Sequence, residues 1–460
     1  MSGEKKEEAV SRRKYLGAVA GLGVAAVVGW GLAGYLASKP AAPAVEKTVT
    51  ITKTITGAPT VITPSIGPAK LNFIVESEIK EYVEKALDEF KIQYPNVTVN
   101  LIPVPYDQIY EKVSTSLAAK SPEYDVINVS DTMSSSLFAS GHIEPLDNYI
   151  NSPLRDPEFK LEDFFEEQIK GMCTGLDGKL YALPYVYDCY QMVWNKKIFE
   201  EYGITDAPDT WDKVYNYGKK ITELAKGKVW GVAFEGRYFQ WDLIPWARTF
   251  GVPGHLWDPT THKPLLNHPA TIEALEWAVK LMEVAPPGVI SYGDYDCAKS
   301  YMAGEVAMAF VWTRAEIEDP SKSLAAGVTE YSPIPKKVSY ASYGSGHNFM
   351  LNKYGKNKDA AYKLIEFLLK PTIQLKYMKY KGPTVKQGLK PEYLKAYPYL
   401  KGFEATLPYV TFDPRIPEIR EVYDIMGEWV SKALLKEIDA KTACDNMQAE
   451  VEKLLAKYVR

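Results

Sequence analysis

The sequence predicts an α/β protein of two lobes, each a mostly parallel sheet flanked by helices. Three observations lead there. Between Leu71 and Val129, apolar runs alternate with amphipathic ones as strand, helix, strand, helix, strand, the order that lays parallel strands under covering helices. A chain of 460 residues exceeds one ordinary domain. The stretch from Gly178 to Trp211 reads as a passage between two bodies. Two β-prone runs, Lys179–Pro184 and Tyr185–Trp194, meet at a proline that interrupts the ladder. A polar-aromatic patch of Tyr185, Tyr187 and Asp188 follows, of the kind that lines a cleft.

The body opens near Ala69. Leu71–Val75 is a short strand, Glu76-Ser77-Glu78 a polar loop, and Tyr82–Tyr94 a helix by the spacing of its apolar residues. Val97–Val104 is a strand, Tyr106–Ala119 a helix, and Asp125–Val129 a buried-type strand ending at Ser130-Asp131. Ligands of such sheets bind beyond the carboxyl ends of strands, where Glu76, Glu78 and Asp131 stand; helix N-capping is the other use of these residues. After the passage, Asn195–Tyr202 is amphipathic, Gly203 fits a helix C-cap, and Thr210-Trp211 starts the next helix. Val229–Phe234 is a strand. Gln240-Trp241-Asp242 then leads into a helix, with Trp241 a candidate stacking surface and Trp246 set among core-like neighbours. Thr271–Ala285 is a helix. Arg314 suits ligand hydroxyls or a carboxylate, or pairs with Glu316. Pro333-Ile334-Pro335 closes this lobe. His347 carries no partner motif and reads as structural. Ala360–Lys370 is a helix stopped by Pro371, Thr372–Tyr380 a second, and the last segment, Ile416–Leu455, is helical.

Ahead of the body, residues 1–14 are charged and end in Arg12-Arg13-Lys14. An uncharged run from Tyr15 to Ser38 follows, about 36 Å as a helix at ~1.5 Å per residue, enough to span a bilayer. The basic flank sets 1–14 in the cytoplasm and the body outside. The run is thus a transmembrane anchor or a cleaved signal, and Ser11–Leu16 also fits a twin-arginine leader. Residues 39–68, rich in Pro, Ala and Thr, read as an extended stalk.

A net charge of -4 without a basic stripe in the body argues against nucleic acid as a partner. The four cysteines, Cys173, Cys189, Cys297 and Cys444, are an even number suited to two disulfides in an exported protein, with three pairings open and free buried thiols the alternative. No Cys/His spacing suggests a metal site, and no cofactor motif is present. Asn96-Val97-Thr98 is a candidate N-glycosylation site.

Several segments together resemble the extracellular solute-binding proteins of ATP-binding cassette importers, in the maltose-binding-like family. They are the crossing Gly178–Pro184, Trp194-Asn195-Lys196 with Phe199, Thr210-Trp211-Asp212, Tyr124–Ile150, Tyr301–Trp312, the return crossing Tyr340–Leu351, and Gly382-Pro383-Thr384. Trp194 and Tyr301 replace a more usual Tyr and Phe. The resemblance covers about residues 69–460. It implies a type II periplasmic-binding-protein-like fold, with lobe 1 at 69–184 and 341–374 and lobe 2 at 185–340 and 375–460. It implies crossings near 183–187, 336–342 and 372–384, and a solute held between the lobes. Trp312 would stack on the ligand, Gly344 would let backbone approach it beside Tyr343 and Ser345, and Tyr423 would supply a second aromatic. The implied role is non-catalytic delivery of a sugar or oligosaccharide, on the outer face of the membrane, to permease subunits powered by separate ATPase subunits.

The rival reading is a secreted glycoside hydrolase, since paired carboxylates can always be found among 58 acidic residues. No GxSxG, HExxH or GxxxxGK[ST] motif occurs. Polyamines, phosphoesters and peptides remain alternative solutes, while the absence of a Tyr-Tyr pair lowers iron.

Overall fold

The computed structural model describes residues 66–457, apart from 154, 259, 260, 262 and 379–381. The described residues form a seven-stranded sheet and a four-stranded sheet, each with its own core. In the first, β1 (Ala69–Glu76) lies between β2 (Val97–Val104) and β3 (Val126–Ser130), parallel to both. Phe73, Ile74 and Val75 are all buried, as expected of a strand covered on both faces. The connections are helices α1 (Lys80–Gln93) and α2 (Tyr106–Ala118); α3 (Asp131–Ala139) leaves β3. β4 (Ile143–Glu144), β5 (Ala182–Cys189) and β10 (Ser342–Asn352) complete this side, with β10 antiparallel to β3, β4 and β5.

The second sheet runs β7 (Trp230–Ala233), β8 (Val306–Val311), β6 (Gln191–Asn195), β9 (Thr329–Ser332). Only β7 and β8 pair in parallel, so the expectation of a mostly parallel second sheet is corrected. β6 continues the chain straight out of the first lobe and therefore meets β8 and β9 antiparallel. Helices α4 (Trp211–Ala225), α5 (Phe239–Thr249), α6 (Pro269–Leu281) and α7 (Asp294–Met302) belong to this side. So do α9 (Ile419–Leu434) and α10 (Ala440–Ala456), whereas α8 (Lys358–Leu368) packs under the first sheet. An aromatic stack anchors the second core: Trp211 lies 4.4 Å from Trp246, and Trp246 lies 4.8 Å from Phe310, centroid to centroid.

Local signals hold where the expected chemistry is complete. Asn195 and Thr210 cap their helices through the backbone N–H groups of Ile198 and Lys213, and Gly203 takes φ +64° after the short helix Lys196–Glu201. Three expectations are corrected. β5 runs on through Pro184 with Tyr185 as an extra residue, where its register against β10 shifts between His347 and Asn348, and this bulge accommodates the missing donor. The C-terminal helical run is two helices, separated at Leu435–Asp439 with Lys436 at φ +59°. The four cysteines are all free and buried. They sit in four separate apolar clusters, and Cys173 donates to Asn348 Oδ1 at 3.3 Å.

Among the described residues no helix is long and apolar enough to cross a membrane. The expected anchor at 15–38 lies outside them, as do the basic segment 1–14 and most of the stalk.

Candidate ligand site

Two chain passages run side by side between the sheets. β5 ends at Cys189 and β6 begins at Gln191, while β10 begins at Ser342, sets Tyr343 in the second core and carries Phe349 into the first. Tyr190 N–H donates to Tyr343 O at 2.9 Å, and Ser342 Oγ donates to Tyr190 O at 2.6 Å. A third segment joins here, as β11 (Val410–Thr411) pairs with Ser342 and Tyr343. Arg248 clasps the last two passages, donating from Nη1 to Ser342 O at 2.6 Å and to Tyr409 O at 3.1 Å. Burial lowers its pKa to about 10, still charged at neutral pH.

On the second-lobe side, Trp312 follows β8. Its indole N–H donates to Glu235 Oε1 at 3.0 Å, and its ring meets Tyr343 and Tyr190 edge-on at 5.2 and 5.4 Å. Glu235 N–H donates to Asp242 Oδ2 at 3.1 Å. Burial, and then the Asp242 charge, push the Glu235 carboxyl well above the usual range; burial pushes Asp242 up to about 8. The pair therefore holds a proton at neutral pH. Asp413 collects three donors on Oδ1: Tyr343 Oη at 2.5 Å, His255 Nε2 at 2.9 Å, and Tyr423 Oη. Its Oδ2 is buried and accepts no hydrogen bond from the described residues. Burial lowers the His255 pKa against the pull of Asp413, which fixes the neutral tautomer with the proton on Nε2 and leaves Nδ1 to accept from Thr411 Oγ1 at 3.0 Å.

On the first-lobe side, Asp131 opens α3 and accepts from Ser345 Oγ at 2.6 Å and Gly346 N–H at 3.4 Å. Burial and the charge of Asp413 raise its pKa to about 7, against those hydrogen bonds and His347. His347 Nδ1 lies 2.6 Å from Glu76 Oε2 in an ion-pair contact whose angle is poor for a hydrogen bond. Burial alone would lower the His347 pKa, yet Glu76, Asp188 and Asp131 raise it to about 9. The ring is deep, but 22% of its side chain still meets solvent, which places it on the wall of an opening. Tyr343, Ser345 and His347 are alternate residues of β10 and share one face.

The other predicted residues are distributed as follows. Tyr185 stacks on Phe349 at 4.5 Å, and Tyr187 packs among Phe165, Phe403 and Phe412, so both are core residues. Asp188 is half-buried beside them. Trp241 stacks on Tyr238 at 5.0 Å. Arg314 pairs with Asp294, and with Glu316 at 3.6 Å, so its charge is already met. A side chain at Gly344 would strike Val410 and Phe412, and one at Gly346 would strike Val186 O; the space those glycines leave is filled by the protein's own chain. Glu78 lies in the single turn Ser77–Ile79, its side chain outside the described residues. Asn96 is exposed in the turn before β2.

Sequence reasoning passed over Asp413, His255, Glu235 and Arg248, and read His347 as merely structural. Each gains its meaning from partners far away in the chain, and no short motif marks them. Among the described residues no group of His, Cys, Asp and Glu is arranged to hold a metal ion.

The family model of the bacterial extracellular solute-binding proteins matches residues 75–375. A binding protein of Brucella abortus (strain 2308) is 26% identical over 387 residues, 82% of this chain and 90% of its own. A maltotriose-binding protein of Pyrococcus abyssi is 25% identical over 333 residues, 69% of this chain and 65% of its own. Among solved structures, maltose-bound MalE3 of T. maritima superposes with a TM-score of 0.76 at 24% identity, covering 84% of this chain and 100% of that one. A solute-binding protein of Agrobacterium radiobacter K84 in complex with ribitol gives 0.75 at 22%, covering 84% and 99%.

Proposed function

Because the chain belongs to the bacterial extracellular solute-binding proteins, the binding components of ABC transporters, we propose that it captures a sugar, oligosaccharide or related polyol between its lobes and hands it to a membrane permease. The observation that carries this reading is Trp312. Its indole is held by Glu235 and its ring meets Tyr343, whose hydroxyl donates to Asp413; the charge of Asp413 in turn reaches Asp131 on the first-lobe side. An aromatic plate beside oriented acceptors suits a ligand with C–H faces and hydroxyl edges. Relatives of this fold include one named for maltotriose and structures holding maltose and ribitol.

In this reading the lobes are 69–184 with 341–374, and 185–340 with 375–460. They close on the solute by hinge motion at the paired passages around Tyr190 and Tyr343. The role is binding without turnover, and transport energy comes from separate ATPase subunits. Residues 15–38 hold the body at the outer face of the membrane, or direct its export before cleavage.

The test is a thermal-shift screen of the purified full-length chain against mono- and oligosaccharides, polyols, polyamines, phosphoesters and peptides. A hundredfold excess over Kd adds about 2.7 kcal/mol of stability. A rise confined to carbohydrates and polyols, with the ligand recovered intact, is expected. A rise with another class overturns the sugar assignment, and released product makes the protein a hydrolase.

A further inference from the structure

We infer that the solute is a cation, an amino sugar or amino polyol whose ammonium group lies between Asp131 and Asp413. This rests on the sugar-binding reading above and narrows it. β10 brings the two carboxylates together. Tyr343 and Ser345 are alternate residues on one face of the strand, about 6–7 Å apart. The first gives its hydroxyl to Asp413 Oδ1 at 2.5 Å, and the second gives its own to Asp131 Oδ1 at 2.6 Å. Two acids from distant parts of the chain, one opening α3 and the other following β11, are thus held by neighbouring side chains of a single strand. They are near enough for the charge of Asp413 to act on Asp131.

The described residues do not balance this charge. Asp413 is 9% exposed, yet its Oδ2 accepts no hydrogen bond from them, a costly state for a buried carboxylate. The basic groups around the pair are committed. His347 lies against Glu76 Oε2, two residues further along the same face, and cancels that charge. Arg248 gives Nη1 to Ser342 O and Tyr409 O, and His255 is neutral with its proton on Asp413. Asp188 stands across the ladder from Ser345 with a partner of its own, and its charge reaches His347. Two like charges held this close repel, and a neutral sugar that displaced water from them would deepen the cost. An ammonium brings three donors, enough for Asp413 Oδ2 and for Asp131, and offsets the repulsion. Ser345 is half-buried and His347 keeps 22% of its side chain in solvent, so the opening reaches this stretch of β10. Trp312 meets Tyr343 edge-on beside it. An amine alone would satisfy the acids and leave the indole unused; a sugar or polyol carrying the amine uses both.

The experiment is titration calorimetry of the purified full-length chain near pH 7, where an alkylamine like that of lysine is protonated. The probes are matched: sorbitol with glucamine, glucose with glucosamine and with N-acetylglucosamine, whose nitrogen is uncharged, and putrescine as an amine without a sugar. The aminated member of at least one pair is expected to bind about tenfold or more tighter than its neutral partner. Asp131→Asn keeps the shape of the side chain, and Asp413→Asn keeps an oxygen for its three donors. Each should bring that ratio near one in protein that still melts cooperatively. Equal or weaker binding of the aminated members, or a ratio unmoved by both substitutions in folded protein, overturns the ammonium site while binding of the neutral members sustains the sugar reading. Binding of putrescine without any sugar or amino sugar overturns the sugar reading and keeps the ammonium site. Absence of binding by every probe overturns both.

Discussion

The indole N–H of Trp312 ends 3.0 Å from Glu235 Oε1, and Glu235 in turn donates its backbone N–H to Asp242. The orientation of the central aromatic thus depends on two buried carboxyl groups, each raised by burial and Glu235 further by the Asp242 charge. Burial raises Asp242 from 3.8 to about 8, so between those values the folded protein holds a proton that the unfolded chain releases. That stability is fully present below about pH 4 and is lost as pH rises through 8. The slope approaches ~1.4 kcal/mol per pH unit for one proton. Asp242→Asn keeps the shape of the protonated form, so its melting temperature should decline less between pH 5 and pH 8 than that of the wild type. Parallel curves from calorimetry would refute the assignment.

Trp312→Ala should weaken binding of the natural ligand by tenfold or more while the ligand-free protein still melts in one cooperative transition. Trp312→Phe, which keeps a ring but loses the bond to Glu235, should fall between the two. Titration calorimetry of the three proteins decides; an unchanged affinity for Trp312→Ala would remove the residue from the site.

Asp413 is the single acceptor for Tyr343, Tyr423 and His255. Removing one donor should cost little and removing the acceptor much, because three buried donors are then left unpaired. Urea unfolding should show a loss of about 1 kcal/mol for Tyr423→Phe and about 3 kcal/mol or more for Asp413→Ala. Equal losses would mean that Asp413 does not organise the group.

His347 rises from 6.5 to about 9 against its own burial, chiefly through Glu76. Its contribution to stability is complete below about pH 6.5 and is lost as pH climbs through 9. In Glu76→Gln the opposing burial remains while the main attraction is gone. The imidazole proton resonances, followed by NMR, should therefore titrate at least two pH units lower than in the wild type.

How much of this could be read in advance follows the reach of each signal. The strand at Val97–Val104, the C-cap at Gly203 and the helix start at Thr210-Trp211 depend on neighbours within four residues, so pattern and cap chemistry located them. The direction of β6 and the continuity of β5 through Pro184 depend on which strand lies opposite, and no local pattern records that. At the candidate site, Asp131 is suggested by its place at a strand end, and Trp312, Tyr343, Ser345 and Tyr423 by the family resemblance; Tyr343 and Tyr423 are buried in the second core. Tyr185 and Tyr187 stood out equally and lie in the core. An aromatic beside a crossing looks the same in sequence whichever way it points. Asp413 and His255 became visible only when the last segment of the chain closed against β10.

The alternate residues Tyr343, Ser345 and His347 on one face of β10 bear on how such a protein can diversify. One strand hands a phenol to Asp413, a hydroxyl to Asp131 and an imidazole to Glu76, at intervals of about 6–7 Å. Point substitutions at these three positions can retune preference for a solute step by step, because the strand's pairing is carried by its backbone. A one-residue slip of the whole strand would put Gly344, Gly346 and Asn348 in their place and erase all three contacts at once. Descendants of this chain should therefore vary freely in the identity of those side chains and hardly at all in their spacing.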